Sequence, residues 1–264
     1  MLMCSMICEA PPNGPLDLDR GTVHVWQARL DQFAGRQGQM LELLSADEQE
    51  RAGRFHFADD RRHFIAARAL LRTLLGRYLD LPPHQLSFSY GPYGKPALAG
   101  EGESRALRFN VSHSHGVALY AVARERDVGV DVEYVRRDMV GESIAERFFS
   151  AREVATLRAL PAEVQPQAFF NCWTRKEAFI KARGEGLSFP LDRFEVSLDP
   201  KEPAALISVR DDPREASRWS LQALSVEEGY AAALAVEGHA WRLEHRIPRV
   251  MLESCSRASL YDIA

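Results

Sequence analysis

Apolar and polar positions alternate around Val23 and Val25 between Gly21 and Leu30, which predicts a strand. Leu43-Leu44-Ser45 is followed by Glu48, a serine cap with a glutamate three residues on, and this predicts a helix running toward Phe55. Phe64, Ala67, Leu71, Leu74 and Leu75 recur at helical spacing and predict a longer helix over about 60–79, closed by Pro82-Pro83. A turn-rich stretch from Tyr90 to Pro96 leads into strand-like runs at 106–111 and 117–123.

That order then recurs. Residues 128–135 again predict a strand, and Ser150 with Glu153 repeats the capping box. A long amphipathic helix over about 167–183 stops at Gly184, and strand-like runs follow at 194–198, 206–209, 219–226 and 230–236. Ser45 and Ser150 stand 105 apart, Val23-His-Val-Trp26 and Val130-Asp-Val-Glu133 stand 107 apart, and the runs from Gly116 and Gly229 stand 113 apart. This predicts a domain duplication: a leader over 1–15, disordered, two subdomains at 16–125 and 126–240 with a cleft between them, and a tail over 241–264. The fold class expected is α+β, and an internal duplication makes a monomer the default.

Composition narrows the class. With 46% hydrophobic and 27% charged residues among 264, the chain is that of a globular protein able to bury a sizeable core. The net charge of −4 argues against a nucleic-acid binder, and no apolar run is long enough to span a membrane. Cys4, Cys8, Cys172 and Cys255 form no CxxC pair, which points to free thiols and a cytoplasmic protein. Of the 33 basic residues only Lys95, Lys176, Lys181 and Lys201 are lysine, so each retained lysine is a candidate for work arginine does not do.

Four constellations carry candidate chemistry. Asp131 and Glu133 share one face of a strand, which calls for basic neighbours, for a solvated edge or for a hard cation such as Mg²⁺. Phe170, Trp173, Glu177 and Lys181 share one helix stripe: either a surface ion pair or a carboxylate at the rim of a cleft. Phe109-Asn-Val-Ser112-His113-Ser-His-Gly116 forms a polar elbow, suited to phosphate oxygens or to an ordinary hairpin turn. Seven arginines between Arg51 and Arg77 face only Asp59 and Asp60, and Lys95 sits in a Gly-Lys-Pro turn. A solvated helix face or a phosphate site fits both, with Arg68 and Arg72 lying beside apolar positions.

Gly129-Val-Asp131-Val-Glu133 and, 40 residues on, Trp173-x-x-Lys-Glu-Ala-x-x-Lys181 together resemble the 4′-phosphopantetheinyl transferases of the surfactin-synthetase-activating (Sfp-like) type. Phe-Asn-Val-Ser-His113 and the Gly94-Lys95-Pro96 turn match that family's segments in the same order. The resemblance implies two similar α/β subdomains in a pseudo-twofold arrangement with the active site between them. It implies transfer of the phosphopantetheine arm of coenzyme A to a serine of an apo acyl- or peptidyl-carrier protein, with adenosine 3′,5′-bisphosphate released. Asp131, Glu133 and Glu177 would then ligate Mg²⁺, with Glu177 also the candidate general base, directly or through a metal-bound water, and Lys181 on the pyrophosphate. Ser112, His113, Lys95 and Arg68 would hold the phosphates of coenzyme A, His113 at the 3′-phosphate. The competing readings are a non-catalytic carrier-protein binding module and another Mg²⁺-dependent transferase acting on a nucleotide pyrophosphate.

Overall fold

The structure is a computed structural model and describes residues 7–9, 14–136, 142–210 and 212–247. The first half runs β1 (Ile7–Glu9), β2 (Thr22–Arg29), α1 (Gln37–Glu42), α2 (Ala46–Gly53) and α3 (Ala58–Leu79). The hairpin β3 (Phe88–Tyr90) and β4 (Pro96–Leu98), α4 (Glu103–Ala106), β5 (Leu107–Ser114) and β6 (Val117–Arg124) complete it. The second half runs β7 (Val128–Tyr134), α5 (Glu142–Phe148), α6 (Ala151–Ala159), α7 (Gln165–Arg183), β8 (Phe194–Val196) and β9 (Leu206–Val209). It continues through β10 (Trp219–Ala223) and β11 (Tyr230–Glu237) to β12 (Arg242–Ile247). The architecture is α+β, and the boundary expected at 125–126 falls in the connection between β6 and β7.

Two sheets form the centre, one in the order β1-β12-β2-β6-β5 and the other β10-β11-β7. α3 packs on the first sheet around Trp26, Leu70, Leu74 and Tyr120, and α7 on the second around Phe179, Ile180, Ala233 and Ala235. The opposite faces meet through Val23, Val25, Leu119, Val130, Val132 and Leu234. Strand alternation explains this layering: in β7 the valines face the other sheet, leaving Gly129, Asp131 and Glu133 toward α7.

Both capping boxes form, and each does more than start a helix. Glu48 is buried and accepts from Arg72, whose guanidinium also donates to the carbonyls of Pro83 and Leu86. Glu153 is buried and accepts from Lys176, whose ammonium donates to the carbonyls of Leu191 and Phe194. A buried charge is tolerable only when paired and hydrogen-bonded throughout, so each pair fixes its long helix against the turn that follows.

Three expectations change. Residues 242–247, expected in a tail, form β12, which lies parallel to β2 and completes the first half's sheet. Residues 7–9 of the expected leader form β1 on the outer edge of β12; the rest of the leader through 13 and of the tail from 248 lie outside the described residues. The repeat's strand register also shifts. Trp26 pairs with Tyr120, four residues past Gly116, and Asp131 pairs with Ala233, four past Gly229. Asp131 therefore corresponds to Trp26, and Gly129 to His24.

Candidate functional site

The polar elbow expected at 110–116 is mostly strand. β5 runs on to Ser114, and only His115 and Gly116, both with positive φ, make the turn. The alternation of Asn110, Ser112 and Ser114 is the reason: these small polar residues share one face. They meet the free edge of β7 in place of another backbone. Asn110 Oδ1 accepts from the Val130 N–H at 2.8 Å, Ser112 Oγ from Val132 at 3.4 Å and Ser114 Oγ from Tyr134 at 3.3 Å. The two halves are thus joined by a ladder of side chains at the strand that carries the acids.

Asp131 is buried, and its Oδ1 accepts from Ser112 Oγ at 2.8 Å and from Lys181 Nζ at 2.5 Å. Its Oδ2 is buried with no hydrogen-bond partner among the described residues. Glu133 accepts from Ser114 Oγ at 2.9 Å, and burial together with the neighbouring Asp131 charge raises its carboxyl above the usual range. Half-buried Glu177, on the adjoining face of α7, feels Lys181, Asp131 and Glu133 alike. Desolvation and the two carboxylates outweigh Lys181 and push its carboxyl up to about 7. The Lys181 ammonium loses solvation in the same cleft, yet Asp131 and then Glu177 raise it above the ordinary lysine value.

Close approach of helix and strand makes this grouping possible. A Cβ on Gly129 would fall 2.1 Å from the Ala178 carbonyl oxygen and 2.4 Å from the Ala182 nitrogen, so only glycine admits α7 so near β7. The sequence offered Gly129 as part of a motif; the contact across the chain gives its reason.

The three carboxylates suit a hard divalent cation by their oxygen chemistry, their mutual repulsion and the unsatisfied Asp131 Oδ2. Among the described residues no three His, Cys, Asp or Glu side chains converge closely enough to hold an ion unaided.

The other expected phosphate ligands lie farther along the cleft. His113 points to the opposite side of β5 from Ser112, where loss of solvation, and then the charges of Lys181 and His63, lower its pKa. Lys95 is engaged elsewhere: its Nζ donates to the Ala182 carbonyl at 2.8 Å and the Val128 carbonyl at 3.4 Å. It neutralises the C-terminal end of α7 and fastens the first half's hairpin to the second half's helix. Arg68 is held by Glu48, donates to Tyr90 Oη at 3.0 Å and stacks on Phe88. It lines a cavity of about 690 Å³ with Arg51, Arg54, Phe64, Tyr90 and Pro96. Of the lesser arginine candidates the sequence offers after Arg68, Arg54 lines this hollow and Arg62 does not, while Arg51 joins it because spacing does not say which of seven arginines face one hollow. A second cavity of about 630 Å³ lies against Lys95, Arg108 and Arg183.

Known proteins match both halves. The family described as 4′-phosphopantetheinyl transferase superfamily matches residues 127–235, and that described as 4′-phosphopantetheinyl transferase, N-terminal, matches residues 24–125. The 4′-phosphopantetheinyl transferase HetI of Nostoc sp. is 42% identical over 88% of this chain and 94% of its own. The 4′-phosphopantetheinyl transferase Sfp of Bacillus subtilis is 29% identical over 74% of this chain and 82% of its own. The human L-aminoadipate-semialdehyde dehydrogenase-phosphopantetheinyl transferase is 30% identical over 74% of this chain and 68% of its own.

Proposed function

The chain belongs to the 4′-phosphopantetheinyl transferase superfamily and is an enzyme, and from that premise we propose how its cleft works. Its reaction is transfer of the phosphopantetheine arm of coenzyme A to a serine hydroxyl of an apo acyl- or peptidyl-carrier protein. The serine oxygen bonds to the β-phosphorus, the pyrophosphate P–O bond breaks, and adenosine 3′,5′-bisphosphate leaves. The observation that carries this reading is the meeting of Asp131, Glu133, Glu177 and Lys181 at the junction of the halves.

Each residue has a role its surroundings support. Glu177, beside Lys181 at the junction and with its carboxyl raised by burial and by Asp131 and Glu133, takes the serine proton as general base. Lys181, charged and already oriented toward Asp131, donates to the pyrophosphate as negative charge builds there. Asp131, Glu133 and Glu177 would hold Mg²⁺, which when bound supplies charge neutralisation at the pyrophosphate. The cavity bearing Arg51, Arg54 and Arg68, the latter two held by Glu50 and Glu48, takes the nucleotide end, where guanidinium forks match phosphate, and His113, outside that cavity, takes the 3′-phosphate. Lys95 acts at a remove, by holding the end of the helix that bears Lys181. Ser112 lies against Asp131, and its support for phosphate binding is correspondingly less.

The internal duplication supports a monomer, and no described helix is long and apolar enough to cross a membrane. The test is to mix the protein with coenzyme A, Mg²⁺ and a purified apo carrier protein and weigh the product. A gain of one phosphopantetheine group is expected; complex formation without mass gain would instead mark a binding module.

A further inference from the structure

Ser112 and Ser114 repeat one arrangement two residues apart. A hydroxyl carries one proton and two lone pairs. Ser112 Oγ accepts the Val132 N–H and gives its proton to Asp131 Oδ1; Ser114 Oγ accepts the Tyr134 N–H and gives its proton to Glu133 Oε2. Each serine thus grips the backbone just after an acidic residue and the carboxylate of that residue. Lys181 Nζ also donates to Ser112 Oγ at 3.3 Å, and His115 Nδ1, 3.2 Å from Ser114 Oγ, is its alternative acceptor. Asn110, at the same spacing, grips the Val130 N–H. Its counterpart acid is missing, because residue 129 is glycine.

We propose that Ser114 and Ser112 are positioning residues that set the orientation of Glu133 and Asp131 for a divalent cation. The inference rests on the metal role given to those carboxylates above. Two side-by-side carboxylates repel and would turn apart in the absence of fixed donors. Hydroxyls anchored on a rigid strand hold them in place, as the outer shell of a metal site does. The hydroxyls come from one half and the carboxylates from the other, so the site exists only when the two sheets are docked.

The test uses Mn²⁺ in place of Mg²⁺, read by electron paramagnetic resonance on the full chain with coenzyme A and without carrier protein. Ser114→Ala is expected to weaken Mn²⁺ binding by about tenfold or more, the usual cost of losing an outer-shell partner. Ser114→Thr keeps the hydroxyl and is expected to restore binding. Asn110→Ala removes a grip on the same strand edge while touching neither carboxylate, so it is expected to lower Tm and leave Mn²⁺ affinity within about twofold. Wild-type binding matched by Ser114→Ala would overturn the inference alone. A wild type that binds no Mn²⁺ would overturn it together with the metal role. Equal losses for Asn110→Ala and Ser114→Ala would reduce both residues to structural fastening and also overturn it.

Discussion

The two halves use one frame for opposite purposes. Each sets a long helix on a three-strand core with a capping-box glutamate and a buried cation, Glu48 with Arg72 and Glu153 with Lys176. The strand–helix interface between them differs at every matched position. Where the second half has Asp131, the first has fully buried Trp26, whose Nε1 donates to Tyr78 Oη. Where the second has Gly129 against Ala182, the first has His24 against Tyr78 at 2.6 Å. Matching Arg72 to Lys176 along the helices places Thr73 opposite Glu177 and Arg77 opposite Lys181. Thr73 turns its hydroxyl back to the Ala69 carbonyl, and Arg77 reaches the Gly14 carbonyl. A wide, aromatic-filled interface stabilises; a narrow one lined by acids can bind. The first half keeps the stabilising task and the second the binding one.

Exchanging matched residues separates those tasks, and the largest effects belong to Trp26 and Asp131. Trp26→Ala should cost about 3–5 kcal/mol of stability, as removal of a buried aromatic does, measured by denaturant unfolding. Asp131→Ala should instead cut phosphopantetheine transfer by at least about 100-fold at saturating Mg²⁺ with the fold intact. A variant retaining a tenth of the wild-type rate would remove Asp131 from the site.

The halves should also respond oppositely to pH. Burial, and next Arg246, lower the His24 pKa from 6.5 to about 4, so the unfolded chain binds more protons between those values. Its contribution is full above pH 6.5 and lost as pH falls toward 4, and His24→Gln should flatten that slope. Glu177, raised from 4.5 to about 7, has the reverse sign. In EDTA its contribution is present below pH 4.5 and lost as pH rises through 7, and Glu177→Gln should abolish that fall. Unfolding curves across pH 4–8 check both.

Gly129→Ala tests the narrow interface itself. The new methyl meets helix backbone, so about 1–3 kcal/mol of stability should go, with transfer reduced as α7 is displaced. The smallest effect expected is for Lys181→Arg. It keeps the charge beside Asp131 but replaces a compact ammonium with a planar fork, and the transfer rate should fall about tenfold. Equal rates would mean that charge alone matters there.

Much of this was legible in the sequence because it is periodic or local. The capping boxes, the two long helices, the order of elements, the pair Asp131 and Glu133 and the pair Glu177 and Lys181 all follow from spacing along one strand or helix, whereas bringing the two pairs together was what the family resemblance implied. What spacing cannot give is the contact between distant segments. The use of Lys95 on the end of α7, the edge of β7 covered by Asn110, Ser112 and Ser114, and the Arg51–Arg54–Arg68 hollow all join segments far apart in the chain. The strand register of the repeat needed the pairing partners, since a shift of two residues keeps every side chain on its face. β12 escaped notice because its pattern, Arg-Leu-Glu-His-Arg-Ile, is polar enough to pass for a surface segment, although His245 is buried within it.

That last strand bears on how the molecule is made. β2 is among the first strands synthesised, and its neighbour β12 follows every other described strand, from the far side of the second half. On the ribosome the first sheet must wait with the outer edge of β2 unpaired until the second half has emerged. Pairing so distant in sequence makes folding slow and leaves a bare strand edge exposed meanwhile. The halves look like two beads on a string but are stitched so that neither is finished before the other. A chain interrupted after β11 would carry its acids and lysine on a body whose first sheet had never closed.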